Sequence, residues 1–402
     1  MKIHRYTIES ALVLFACLNI VFLNNAVPGF SYFLYMLRLL LIAYILLSTF
    51  VSREYFSNTM KIILLFVLWI FIISIVRDGA VSDAIRALSI PILLSLYINL
   101  KRNRAYIVEC IGVWANLLFA LVLIDFITQI IFPTGMYSDS MYSLNWFLGY
   151  KTARLVYALP LCIFESIYSM WKNNKLSWKS YICFIMSIYT LYHSEATSAS
   201  VTLVIACIIV ILLCIGRKRR GRSHFWEYFV NFKIVIPFYI VITVLIVYIQ
   251  NAPFIQYIIV DILGKDTTLT TRTYIWRNCI EVLKTHPTTG IGYLSIQRYQ
   301  EIANSIYATS AHNMSLTILI SGGFIAVALY IGIVIAAWNS LEKDQSIYNK
   351  IASIGIISVL IVGLTSSSAL FSLCGFVFYT IIGVNISLNK ADKIFSVNSK
   401  WR

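Results

Sequence analysis

Residues 198–222 read SASVTLVIACIIVILLCIGRKRRGR, an uncharged and mostly aliphatic run to Gly216 followed at once by Arg217, Lys218, Arg219 and Arg220. At about 1.5 Å per residue, a helix over 198–216 comes close to the roughly 30 Å hydrocarbon thickness of a bilayer. A basic cluster directly after such a run marks a cytoplasmic flank. The stretch therefore reads as a transmembrane helix whose C-terminal end lies inside. As a lipid-binding patch the same cluster would attract anionic headgroups, but topology anchoring already explains it.

The rest of the chain repeats this pattern. Of 402 residues, 59% are hydrophobic and 12% charged, and the mean hydropathy is +0.80. Apolar runs take up more than half of the length and leave no room for an ordinary soluble domain. Soluble enzymes and nucleic-acid-binding modules are excluded despite the net charge of +15. Hydropathy places spans near 8–24, 31–51, 61–76, 84–100, 106–132, 155–171, 180–194, 198–216, 233–249, 314–337, 351–366 and 370–389. The expected fold class is thus an all-α polytopic integral membrane protein with about 12 transmembrane helices. It forms a single domain over 1–402, with one large outer loop, 250–312, between spans nine and ten. The first run lacks a small-residue cleavage site and reads as a retained helix.

Lys and Arg test this map independently, because the spans follow from hydropathy alone. With both termini inside, 22 of the 32 basic residues fall on the cytoplasmic side, nine fall outside and Arg38 lies within a span. The positive-inside rule is satisfied. Seven of the eight cysteines sit in apolar runs and Cys279 is alone in a polar loop, so neither a disulfide framework nor a metal site is expected. No internal repeat or pair of matching broken helices points to an inverted-repeat transporter.

The loop 250–312 holds most of the residues that could do chemistry, as long ordered loops tend to. Thr273–Lys284 reads as an amphipathic helix with Ile275, Trp276, Cys279, Ile280 and Leu283 on one face, turned toward the membrane domain. Arg272 lies over the centre of that apolar face, whereas Arg277 points to water. An arginine so placed is either a snorkelling or ion-paired helix start or a ligand for phosphate, whose oxygens the guanidinium fork matches. Next come His286-Pro287, which reads as a helix end, and Gly290-Ile291-Gly292, whose first use is turn geometry. Ser310-Ala311-His312-Asn313 closes the loop, and His312 is either a structural group or an imidazole placed to accept a proton.

Other outward cations are Arg38, within span two, and Lys151 and Arg154, which flank span six. Charges at such positions default to function, with interfacial anchoring the alternative for Lys151 and Arg154 and an ion pair, for example to Asp125, the alternative for Arg38. Tyr137, Tyr142, Trp146, Phe147 and Tyr150 crowd the loop before span six as an aromatic belt or a sugar-stacking surface.

In this order and spacing, Arg272-x3-Trp276, His286-Pro287-x2-Gly290-x-Gly292, and His312-Asn313-x2-Leu316 ahead of Gly323 resemble the signature of the O-antigen polymerase and ligase superfamily. The resemblance is detailed over 268–330 and looser elsewhere. It implies a metal-independent and cofactor-free glycosyltransferase in the bacterial cytoplasmic membrane. Such an enzyme moves undecaprenyl-diphosphate-linked oligosaccharide on the outer face, with chain-length regulator and flippase proteins of the same pathway as partners. By that resemblance Arg272 and His312 are the catalytic positions, Arg272 engaging the diphosphate and His312 serving the acceptor. Trp276, Gly290, Gly292 and Asn313 belong to the same motifs as substrate-binding positions, joined by Arg38, Lys151 and Arg154. Where many members carry Glu this chain has Ser321, and where ligases carry an outer Arg it has Ser194-Glu195-Ala196-Thr197-Ser198. The second departure, together with Trp146-Phe147-Leu148-Gly149-Tyr150-Lys151, favours a repeat-unit polymerase over a ligase. A lipid-linked oligosaccharide flippase is the rival of another class.

Overall fold

The computed structural model describes residues 5–102, 106–138, 144–216, 231–248, 272–306, 308–382 and 384. Its helices are α1 (Arg5–Cys17), α2 (Val21–Ala26), α3 (Phe30–Val51), α4 (Asn58–Val76), α5 (Val81–Lys101), α6 (Ile107–Ile131), α7 (Leu155–Asn173) and α8 (Trp178–His193). There follow α9 (Thr197–Gly216), α10 (Phe232–Tyr248), α11 (Arg272–Leu283), α12 (Ile296–Ala303), α13 (Met314–Lys343), α14 (Ile347–Gly363) and α15 (Val377–Ile381). Among the described residues, β pairing is limited to the isolated bridges Tyr137 with Asn145 and Trp146 with Gly149. The fold is all-helical, as the composition requires.

Among the described residues six helices, α3, α4, α5, α6, α9 and α13, are long and apolar enough to cross a bilayer, and shorter apolar helices lie in α1, α10 and α14. α7 is the centre of the bundle. It packs on α6, α8, α9 and α14 and buries Leu155 to Trp171 on all sides except at Val156 and Tyr168. A helix apolar all round must be enclosed, whereas α3 at the edge leaves Leu40, Leu47 and Phe50 uncovered, a surface suited to acyl chains. Hydroxyl caps start several helices: Ser57 Oγ accepts from the Met60 amide, and Ser177 and Ser180 form a reciprocal capping box. The carboxylates of Glu9 and Glu165 sit at one end of the bundle, paired with Lys101 and Lys179 at 3.0 Å each.

Two expected spans, the first and the last, are corrected, and the tenth is present but bent. The first, 8–24, is broken between Cys17 and Val21, where the Asn19 amide donates to the Tyr157 hydroxyl at 3.1 Å and so leaves the helix. The tenth is kinked at Gly323, whose φ of 64° and ψ of −161° are open only to glycine. The last, 370–389, is helical among its described residues only at Val377–Ile381. Before that helix, 364–376 runs as successive turns through the protein interior. There the Ser366 and Ser372 hydroxyls accept from the amides of Ser368 and Cys374 in place of helix carbonyls. Irregular backbone of this kind survives in a membrane protein only when enclosed, and almost all of 366–382 is buried. The basic run 217–222, residues 250–271 of the large loop, and Tyr142 lie outside the described residues.

Candidate active site

The described part of the large loop builds a small core of its own. Ile275, Trp276 and Cys279 of α11 pack with Leu294, Tyr299, Ala303, Ala308 and Ala311, and then with Leu316 and Ile320 of α13. Leu283 is also buried and Ile280 partly so, so the amphipathic face read from the sequence faces the bundle as expected. α12 is the element that the sequence reading missed, although its signals are present. Ser295 Oγ caps it by accepting from the Arg298 amide, and Asn304 ends it in the left-handed conformation.

Arg272 opens α11 and is half-buried, while Arg277 is exposed, which is the division the helical spacing predicts. Among the described residues no carboxylate pairs with Arg272. Burial lowers its pKa from the ordinary arginine value, the direction expected of a cation drawn out of water. One turn further on, the fully buried Trp276 donates its indole N–H to the Ala311 carbonyl at 2.8 Å. That bond joins the arginine-bearing helix to the residue next to His312. Trp276 is therefore enclosed and positions the site instead of offering a face to a sugar.

His312 has a φ of 48°, and its amide donates to Ser310 Oγ at 3.1 Å. Left-handed backbone at a non-glycine residue is uncommon, and His tolerates it better than most. The turn it makes delivers Asn313 to the start of α13. Asn313 Oδ1 accepts from the Leu316 amide at 2.9 Å and its Nδ2 donates to the Leu364 carbonyl at 3.0 Å. Its amide thus caps α13 and ties it to the end of α14, which fixes the backbone directly after His312.

Gly290 and Gly292 sit where backbone meets backbone. A Cβ on Gly290 would lie 2.5 Å from the Ile320 carbonyl, and one on Gly292 would lie 2.7 Å from Ser74 Cα. The 287–291 turn fills the kink of α13: the Ile291 amide donates to Ile320, and the Phe324 amide, freed by the kink, donates to Pro287 at 3.0 Å. The Tyr293 amide then donates to Ser74 Oγ and its carbonyl accepts from Ala80, both at 2.8 Å. The glycine motif thus stitches the loop to α4, α5 and α13. Ser321, which replaces the common Glu, is buried in this kink, its hydroxyl without a partner among the described residues.

The remaining cations are placed separately. Arg154 is fully buried and pairs through Nε with Asp125 at 2.9 Å, its guanidinium lying 4.6 Å over the Trp146 ring. Asp125 also accepts from the Leu148 amide at 2.8 Å, so the Trp146–Lys151 motif folds around a buried ion pair. Arg38, for which Asp125 was the expected partner, instead donates to the Arg86 carbonyl and to Ser89 Oγ on α5. Lys151 reaches Glu195 at 3.3 Å, so the turn where ligases carry an arginine here presents a carboxylate already paired. The structure joins Arg272, Trp276, His312, Asn313 and the glycine motif in one assembly. It gives Arg154 and Lys151 partners elsewhere in the bundle.

Taken together, these features define a multi-pass helical membrane protein with a folded loop segment seated on one end of its bundle. Residues 182–331, from α8 into α13, match a family model described as O-antigen ligase, which bears out the resemblance to the O-antigen polymerase and ligase superfamily. No curated protein matches the chain.

Proposed function

We propose that the protein is a polymerase of undecaprenyl-diphosphate-linked oligosaccharide repeat units, working on the outer face of a bacterial cytoplasmic membrane. The observation that carries the reading is the half-buried Arg272, which pairs with no carboxylate among the described residues and is coupled through Trp276 and Ala311 to His312. The growing chain on its lipid diphosphate is the donor, and a sugar hydroxyl of a single lipid-linked unit is the acceptor. The hydroxyl oxygen forms the new bond to the anomeric carbon as the carbon–oxygen bond to the diphosphate breaks. The electron pair leaves with the diphosphate, and the hydroxyl proton passes to His312. One displacement inverts the anomeric configuration. Diphosphate is already a good leaving group, so the enzyme's tasks are to stabilise its growing charge, through Arg272, and to align the acceptor.

A ligase that moves the finished glycan to lipid A core or protein is the second reading, favoured by the description of the matching family model. Glu195 in place of an outer arginine supports polymerisation instead. A flippase would need charge along a central passage, whereas Glu9 and Glu165 are paired at one end and Arg272 lies at the other. The test is to incubate the purified protein with a lipid-linked repeat unit. A ladder of products with release of lipid diphosphate supports the polymerase. Transfer only to a lipid A core or protein acceptor supports the ligase, and unchanged substrate with each acceptor rejects both.

A further inference from the structure

At the end of the bundle opposite α11, a cavity of about 370 Å³ opens between the start of α4, the end of α5 and the end of α13, next to α15. Ser57, Asn58, Thr59, Asn99, Arg102 and Lys343 line it. Ser57 Oγ satisfies the Met60 amide, which leaves the amides of Asn58 and Thr59 at the first turn of a 19-residue helix with no acceptor among the described residues. Such a turn carries partial positive charge and favours anions. Asn99 is 1% exposed and accepts from the Ser57 amide through Oδ1, yet its Nδ2 donor has no partner among the described residues. A buried amide donor left without an acceptor is unfavourable, so a ligand acceptor is the natural complement.

Arg102 and Lys343 supply the charge. Among the described residues neither pairs with a carboxylate nor bonds a helix carbonyl, although each stands at a helix C-terminus where such bonds are common. The opposing charge is Asp344, which also lines the cavity. Its carboxylate is already engaged: it accepts from the Ser346 amide and Asn349 Nδ2 at 3.0 Å and from Ser346 Oγ at 3.2 Å. We propose that this cavity binds a phosphate group, carried either by an anionic phospholipid of the adjoining leaflet or by free phosphate. The donors are Arg102, Lys343, Asn99 Nδ2 and the first amides of α4.

The proposal is tested with the full-length protein, purified in a neutral detergent and in nanodiscs. Thermal unfolding is followed as inorganic phosphate is titrated, and again in phosphatidylcholine discs with rising phosphatidylglycerol. A saturable rise in midpoint with phosphate assigns the site to the free anion, and a rise with phosphatidylglycerol alone assigns it to the lipid. Either supports the proposal if the apparent affinity falls at least about tenfold in Arg102→Gln/Lys343→Gln and is kept in Lys172→Gln/Lys175→Gln, an equal charge loss outside the cavity. Asn99→Asp, which keeps the acceptor for Ser57 but adds negative charge, should weaken binding likewise. Lys343→Gln alone alters only an exposed side chain and keeps the test valid should the other variants misfold. No saturable shift with either probe, or an equal shift in wild type and variants, overturns the proposal.

Discussion

The indole of Trp276 donates to the carbonyl of Ala311 at 2.8 Å across 35 residues of chain, and both residues are fully buried. Arg272 is one helical turn before Trp276 on the same face, and His312 directly follows Ala311. This hydrogen bond, in a closed core, joins the elements that carry the two residues assigned to leaving group and acceptor. Side chains that must act within a few tenths of an ångström need such support.

Arg272→Ala should reduce chain growth by about a hundredfold to a thousandfold, the scale of losing one donor to a developing anion. Arg277→Ala should stay within a few-fold of wild type, because Arg277 faces water. Arg272→Lys should recover part of the activity, since an ammonium cannot reproduce the planar fork. Initial rates at matched expression decide it, and equal rates for the two alanine variants would sink the assignment.

His312→Ala should insert and fold, keep binding the lipid-linked donor, and lose turnover by about a hundredfold to ten-thousandfold. Cells carrying it should display single repeat units in place of long chains. A pool of single units trapped on the inner face, out of reach of an impermeant label, would instead point to a flippase.

Arg154→Met should destabilise the protein by about 3–5 kcal/mol, because it strands the Asp125 carboxylate in the interior. The double variant Asp125→Asn/Arg154→Met should regain most of that loss, since Asn can still accept from Leu148. Unfolding midpoints in detergent measure both. A single variant as stable as wild type would show that the pair is not sealed from water.

Gly323→Ala should be poorly expressed or unstable, losing more than about 2 kcal/mol, as its Cβ would fall 2.2 Å from the Thr288 carbonyl at a backbone geometry reserved for glycine. Gly332→Ala on the same helix meets only Ile62 at 3.4 Å and should be tolerated. Similar behaviour of the two would contradict the kink.

Cys279 should resist maleimide at pH 8 in the folded protein and react fully after denaturation, because burial raises its thiol pKa from 9.0 to about 12. The folded pKa lies above the unfolded one. Its contribution to stability is therefore complete below about pH 9 and is lost as the pH rises toward 12. Rapid labelling of native protein would mean that the α11 face is open.

The sequence by itself determined the membrane class, the apolar face of α11 and the opposite directions of Arg272 and Arg277. These follow from hydropathy and from a period of 3.6 residues, which act locally. It also placed the motif residues in the right order. Only the tertiary structure decided that Trp276 and Asn313 hold the site together through backbone carbonyls 35 and 51 residues away. The same holds for the glycines that seat a turn in the kink of α13, and for Asp125, which takes Arg154 and not Arg38. The broken first span and the turn-rich stretch before α15 were likewise hidden. Their backbone groups are satisfied by a distant hydroxyl and by nearby serines, and hydropathy registers how apolar a segment is but not where its hydrogen bonds go.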